Sequence, residues 1–204
     1  MRLFASRHPN DVAGLVLIEP AIPEEWANPT AQQRALIARG VRLCGYGATA
    51  ARRGLAQLVS VLVRFGALRA ARFLVGLVSR GGLHREDEGI LAPIWKLPPE
   101  ARRVLREMWT QPKFFEALGS QIDTICESAT AVMTAGPPDY DALPLTVISA
   151  AGSGEERLQA DSALAHRSTR GRHVLAAGSG HWVPLDAPQV VVDAITTMVA
   201  EIRG

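Results

Sequence analysis

The sequence predicts an α/β fold, in which a short parallel sheet is covered by helices and interrupted by a large helical insertion. Three short apolar runs have the composition of strands that are buried on both faces. They are "VAGLVLI" at Val12–Ile18, "LTVISA" at Leu145–Ala150 and "RHVLAA" at Arg172–Ala177. Helical patterns alternate with these runs, and such alternation is typical of a parallel sheet.

The first strand follows a short helical end at Leu3–His8, which Pro9 stops. Turn residues separate the two, and Pro20 ends the strand because proline cannot continue a ladder of hydrogen bonds. After the second strand comes a helix over 155–168, and after the third a closing amphipathic helix with Pro188 in its first turn.

Between residues 22 and 141 the apolar residues have helical spacing, and Gly and Pro residues separate the helical segments. About five helices are predicted there. Residues 1–21 and 142–204 are therefore expected to form the core domain, and residues 22–141 a separate helical insertion.

Composition narrows the functional classes. Of the 204 residues 48% are apolar and 21% charged, and the formal net charge is only +2 without a basic stripe, so nucleic acid is not an expected partner. The most apolar stretch, Leu55–Gly81, contains Arg64, Arg69 and Arg72, and this argues against a membrane span. No signal peptide is visible, so a cytoplasmic protein is expected.

The two cysteines, Cys44 and Cys126, lack the spacing of a metal or redox motif, and we expect two buried thiols and no metal or cofactor. The oligomeric state is left open.

His181 is the residue best placed for chemistry. It stands in "AAGSGHWVPLDAP", just beyond the end of the third strand, and ligands bind at the carboxyl ends of the strands in open α/β sheets. Gly178 and Gly180 allow an irregular backbone there. The other histidines, at positions 8, 84, 166 and 173, have no such context and are expected at the surface.

Two segments carry a resemblance to a known family. "GSGHWVPLDAPQVVVDAI" resembles the closing segment of the α/β-hydrolase superfamily, in which a catalytic His follows the last strand. "ASRHPNDVAGLVLIEPAIP" is similar to the segment after that family's nucleophile helix. The resemblance implies a nucleophile–His–acid triad with His181 as the base, and it makes the insertion 22–141 a cap domain.

The nucleophile that the resemblance implies has no match. The family places it on a G-x-S-x-G elbow, and no serine here has Gly both two residues before it and two residues after it; Ser153 and Ser179 both fail this pattern. We therefore expect the sequence to correspond to the later part of a hydrolase, with the elbow and the oxyanion-hole loop encoded upstream of Met1.

The acid that orients His181 has two candidate positions in the family. After the second strand, Glu155 has the spacing of a G-x-x-D/E loop, with Glu156 and Asp161 as weaker candidates. In another branch, which includes haloalkane dehalogenases, the acid ends the strand before the cap, and there Glu19 stands. Asp186 is expected to be a turn or cap residue.

For substrate contacts we expect Trp182, beside the histidine, and Trp26 in the insertion. The remaining aromatic residues of the insertion are expected mostly in its core: Phe65, Phe73, Trp95, Trp109, Phe114 and Phe115.

The predicted activity is hydrolysis of an ester or a similar small apolar acyl substrate. The alternatives are a hydrolase like the haloalkane dehalogenases, whose nucleophile would be Asp, and a non-catalytic interaction module. The 204 residues alone are expected to be inactive.

Overall fold

The computed structural model describes residues 1–78, 96–135 and 140–203. Its sheet contains three parallel strands, β1 Leu15–Ile18, β2 Leu145–Ala150 and β3 Gly171–Ala176, which are neighbours in that order. The predicted parallel sheet and its strand order are confirmed. β1 begins three residues later than the predicted run, because Val12 caps a 3₁₀ turn at Pro9–Asp11 and only Leu15 begins the pairing with β2.

The fold is mixed α/β. The described helices in chain order are α1 Arg2–Arg7, α2 Pro23–Ala27, α3 Ala31–Arg52, α4 Leu55–Arg64, α5 Leu68–Val78, α6 Pro99–Trp109, α7 Pro112–Asp123, α8 Ile125–Thr134, α9 Glu155–Ala165, α10 Val183–Asp186 and α11 Pro188–Arg203.

The chain divides into two compact units. The first contains the sheet and comprises Met1–Ala27 and Glu127–Gly204, and the second comprises Asn28–Cys126. The second unit lies inside the predicted insertion 22–141, whose outer helices α2 and most of α8 belong to the first. That the insertion acts as a cap stays a prediction.

Within the second unit, glycines do not break the helices as the sequence suggested. α3 runs through Gly40, Gly45 and Gly47 without interruption. A Cβ at Gly47 would lie 2.4 Å from the Phe115 ring, so the glycine lets α3 and α7 pack closely. α3 ends instead before Gly54, whose φ is 76°. The described part of 22–141 nevertheless contains more helices than the five predicted, because α2 was not foreseen and the last predicted helix is divided into α7 and α8.

In the first unit, the sheet has an apolar core on each face. Leu15, Leu17, Leu145 and Val147 face one cluster, which Leu164 of α9 completes. On the opposite face Ile148, Ala150 and Ala176 pack with Val183 and with residues of α11. β2 is buried along its whole length, because it has a strand on either side and a core on both faces. Helices on both faces are the arrangement that a parallel sheet requires.

The apolar stretch that begins at Leu55 forms α4 and α5, with a break at Gly66, where φ is 77°. In the part of the chain that the structure describes, no helix has the length and apolar character to cross a membrane.

Candidate functional site

Glu19 lies at the carboxyl end of β1 and extends the pairing of the strand by one residue. Its N–H donates to the Ile148 carbonyl at 2.8 Å. Its φ is 45°, in the left-handed region that a residue with a Cβ adopts at a cost of about 1–2 kcal/mol. The side chain is nearly buried and lies at the end of the sheet, where Pro20 directs the chain away from the strand.

His181 lies beyond the carboxyl end of β3, at the same end of the sheet. The chain leaves β3 in a turn, in which Gly178 has a φ of 69° and Ser179 N–H donates to the Ala176 carbonyl. Asp186 accepts a hydrogen bond from Gly180 N–H at 3.1 Å. This bond ties the loop before His181 to α10, so Asp186 has the turn-stabilising position expected of it.

The two side chains meet across the sheet. His181 Nδ1 is 3.2 Å from Glu19 Oε2, and the other carboxylate oxygen, Oε1, accepts from Ala150 N–H at 2.6 Å. Because an ionised carboxylate can only accept, Nδ1 carries the proton in this pair. Nε2 of the neutral ring is then an unprotonated base. The imidazole is 71% exposed, whereas the Glu19 side chain is 8% exposed.

The structure separates the candidate acids. Glu19 contacts His181, whereas Glu155 lies exposed in the first turn of α9 and its Oε1 accepts from Gln159 Nε2 at 3.3 Å. Glu156 is exposed as well. Asp161 is buried at 2% exposure, and its carboxylate is bound to Ser149 and Arg157.

A buried polar cluster beneath the site was missed by the sequence analysis. Ser149 Oγ donates to Asp161 Oδ2 at 2.7 Å and lies 2.9 Å from His173 Nε2. Since the single hydroxyl proton goes to the carboxylate, His173 Nε2–H is the donor to Ser149. The prediction that His173 is a plain surface residue is therefore wrong: the ring is half-buried and paired.

The only signal for this cluster in the sequence is the spacing of Arg157 and Asp161, four residues apart on one helix face. Ser149 is 12 residues before Asp161 and 24 before His173, and no local pattern connects them.

Of the two tryptophans expected to contact substrate, Trp182 is beside the histidine. Its ring centroid is 5.9 Å from that of His181, edge to face at 74°, and the side chain is 44% exposed. Trp26 is half-buried on α2 in the same unit. That either binds a substrate stays a prediction.

The other aromatic residues differ in their surroundings. Phe114 packs against Phe115 and Trp109, with ring centroids 5.4 and 6.4 Å apart, whereas Phe65 and Phe73 are more than 70% exposed and are not core residues. Trp95 and His84 lie outside the described residues.

The serines near the site do not have the environment of a nucleophile. Ser179, two residues before His181, is buried, and its hydroxyl donates to the Gly180 carbonyl at 2.8 Å. Ser153 lies in the turn after β2, where its N–H donates to the Ala150 carbonyl. Neither hydroxyl is hydrogen-bonded to His181.

Residues 1–78, 96–135 and 140–203 contain no group of three or more His, Cys, Asp or Glu side chains that could hold a metal ion. Neither cysteine is in a disulfide, but only Cys44 is buried, so the prediction of two buried thiols is wrong for the half-exposed Cys126.

Comparison of the chain with protein-family models, with curated proteins and with solved structures finds no match in any of the three.

Proposed function

We propose that this chain supplies the base and the acid of a hydrolase of the α/β-hydrolase class, which acts on an ester or a similar small apolar acyl substrate. The observation that carries the proposal is the 3.2 Å contact between His181 Nδ1 and Glu19 Oε2 at the carboxyl end of a parallel sheet. A base oriented by a carboxylate is the arrangement that activates a hydroxyl nucleophile.

In this reaction His181 Nε2 takes the proton of the nucleophile as that group attacks the acyl carbon. The same nitrogen then protonates the leaving group, and in the second half-reaction it deprotonates the water that releases the acid. Glu19 holds the proton on Nδ1 and stabilises the imidazolium. The 71% exposure of the ring leaves Nε2 open to a nucleophile.

The proposal assigns the nucleophile to residues encoded upstream of Met1. It does so because Ser153 and Ser179 lack the elbow motif, and the Ser179 hydroxyl donates to the Gly180 carbonyl. Trp182 would form one wall of the acyl site, an assignment that its edge-to-face contact with the imidazole supports.

The test joins the upstream coding segment to the 204 residues and measures hydrolysis of short p-nitrophenyl esters. We expect turnover by the extended protein, none by the 204 residues, and a loss of about 10⁴-fold or more in His181→Ala. An upstream segment without an elbow, or an extended protein that keeps full activity after His181→Ala, would refute the proposal.

A haloalkane-dehalogenase-like reaction is the second candidate, because the acid that contacts His181 ends the strand before the insertion, as in that branch. Its nucleophile would be Asp, and His181 would activate only water. Halide release from a 1-bromoalkane, measured beside ester hydrolysis, separates the two reactions. A protein with neither activity would favour an interaction module.

A further inference from the structure

Arg157 and Asp161 connect the interior of the first unit to the backbone directly after Glu19. Arg157 Nε donates to Asp161 Oδ2 at 3.2 Å, and an Nη2–H of the same guanidinium donates to the carbonyl of Pro20, the residue after Glu19. The Asp161 side chain is 2% exposed and that of Arg157 is 24% exposed. One guanidinium therefore joins a buried carboxylate to the turn that follows β1.

The same cluster reaches Glu19 from a second direction. Asp161 holds Ser149, which is fully buried and directly precedes Ala150. Ala150 N–H is the donor that fixes Glu19 Oε1. These contacts therefore reach Pro20, which follows Glu19, and Ser149, which precedes the residue that donates to Glu19.

Glu19 needs such support. A left-handed backbone at a residue with a Cβ is unfavourable by itself, so neighbouring contacts must hold it there. Stability alone gives a weak account of the ion pair, since the cost of removing two charges from water offsets most of their attraction. The Arg157–Asp161 pair instead fixes the direction of the Pro20 carbonyl, which accepts from Arg157.

We propose that Arg157 is a positioning residue, which acts with Asp161 to hold Glu19 in the conformation that orients His181. A role of Arg157 in catalysis rests on the proposed function. The positioning itself is measurable without any activity, because the Glu19 contact determines which nitrogen of the neutral His181 ring carries the proton.

The experiment records the ¹⁵N NMR shifts of His181 in the 204-residue protein at about pH 9, where an ordinary imidazole is neutral. In the unchanged protein we expect the Nδ1–H tautomer to predominate. In Arg157→Met we expect its fraction to fall about twofold or more, because the carboxylate no longer stays in place. Arg157→Lys, which keeps the charge but cannot reach both acceptors, should lie between them.

Arg170→Met is the matched control, since that exposed arginine pairs with Glu201 and not with the cluster. Its His181 tautomer should equal that of the unchanged protein. Circular dichroism establishes that each variant is folded. If Arg157→Met does not fold, Arg157→Lys tests the positioning role in its place, because it keeps the charge and removes less volume.

Glu19→Ala separates failure of this inference from failure of the proposed function. A shift of tautomer in Glu19→Ala but not in folded Arg157→Met overturns the positioning role and leaves the Glu19–His181 pair intact. No shift in Glu19→Ala shows that the pair does not form in solution, which removes the observation behind the proposed function as well.

Discussion

Glu19 and His181 are 162 residues apart in the sequence, yet their side chains lie 3.2 Å apart, Oε2 to Nδ1. Each follows the carboxyl end of an outer strand of the described sheet, and the end of the central strand lies between them. Ala150, the last residue of that strand, donates its N–H to the same carboxylate. The sheet therefore fixes the acid through its own backbone, while the histidine approaches from the loop beyond β3.

Replacement of this acid is expected to affect catalysis strongly. In the protein extended by its upstream segment, Glu19→Gln should lower kcat by about 10³–10⁴-fold, because the imidazolium loses its counter-charge and the tautomer is no longer fixed. Glu155→Gln is the matched control and should leave kcat unchanged, since Glu155 binds Gln159 on the helix surface. The measurement is initial rates on a p-nitrophenyl ester. Equal losses in the two variants would contradict Glu19 as the acid.

Gly171 is expected to tolerate no side chain. A Cβ there would lie 1.8 Å from the carbonyl oxygen of Ala165, a backbone atom that cannot move aside. Gly171→Ala should therefore lower the free energy of unfolding by about 3 kcal/mol or more in urea titrations.

Gly152→Ala is the control for this prediction, because nothing lies within 4 Å of its Cβ position. Its effect should stay within about 0.5–1 kcal/mol. The close approach of β3 to the end of α9 would be wrong if both variants unfold at the same urea concentration.

The two thiols are expected to react at different rates. Burial raises the pKa of the Cys44 thiol above its ordinary value of 9.0, because the apolar surroundings disfavour the thiolate. Cys44 should react with iodoacetamide at least about tenfold more slowly than the half-exposed Cys126, and at a similar rate once the chain is unfolded. Mass spectrometry of the labelled peptides gives both rates.

The raised pKa of Cys44 also makes the free energy of unfolding depend on pH. A folded state that holds the thiol proton more tightly gains stability at pH values below the ordinary pKa, and it loses this gain as pH rises through the raised pKa. Replacing Cys44 with Ala should remove that part of the pH dependence. Equal labelling rates for Cys44 and Cys126 in the folded protein would contradict the burial.

The open side of β1 is expected to promote self-association of the 204 residues. Among the described residues β1 pairs only with β2, and its residues Leu15 and Val16 line a groove of about 390 Å³. Side chains of α11 line this groove, and Ile195 and Val199 are 47% and 39% exposed. An unpaired strand edge beside exposed apolar side chains is a template for association between copies.

Light scattering after gel filtration tests this expectation. Val199→Lys should shift the protein towards the monomer, because it places a charge in the groove. Leu36→Lys, at a position 58% exposed on α3 in the other unit, should have no effect. A protein that is already monomeric at high concentration would contradict the prediction.

The local pattern of apolar and turn residues was sufficient to predict the three strands of the sheet. A continuous apolar run between turn residues indicates a buried parallel strand, and β2 matches its predicted bounds because all six residues are buried. The same reasoning failed at Gly47 of α3, where close packing against Phe115 outweighs the low helical propensity of glycine.

For the site, the sequence determined that His181 follows a strand and that Glu19 and Glu155 were its candidate acids. Only the tertiary structure decided between them, because the distance from a carboxylate to the imidazole depends on the register of β1, β2 and β3. The cluster of Ser149, Asp161 and His173 also required the fold, since its hydrogen bonds join two strands and a helix. Periodicity records which face of an element is buried, whereas polar contacts between elements are set by how those elements pack.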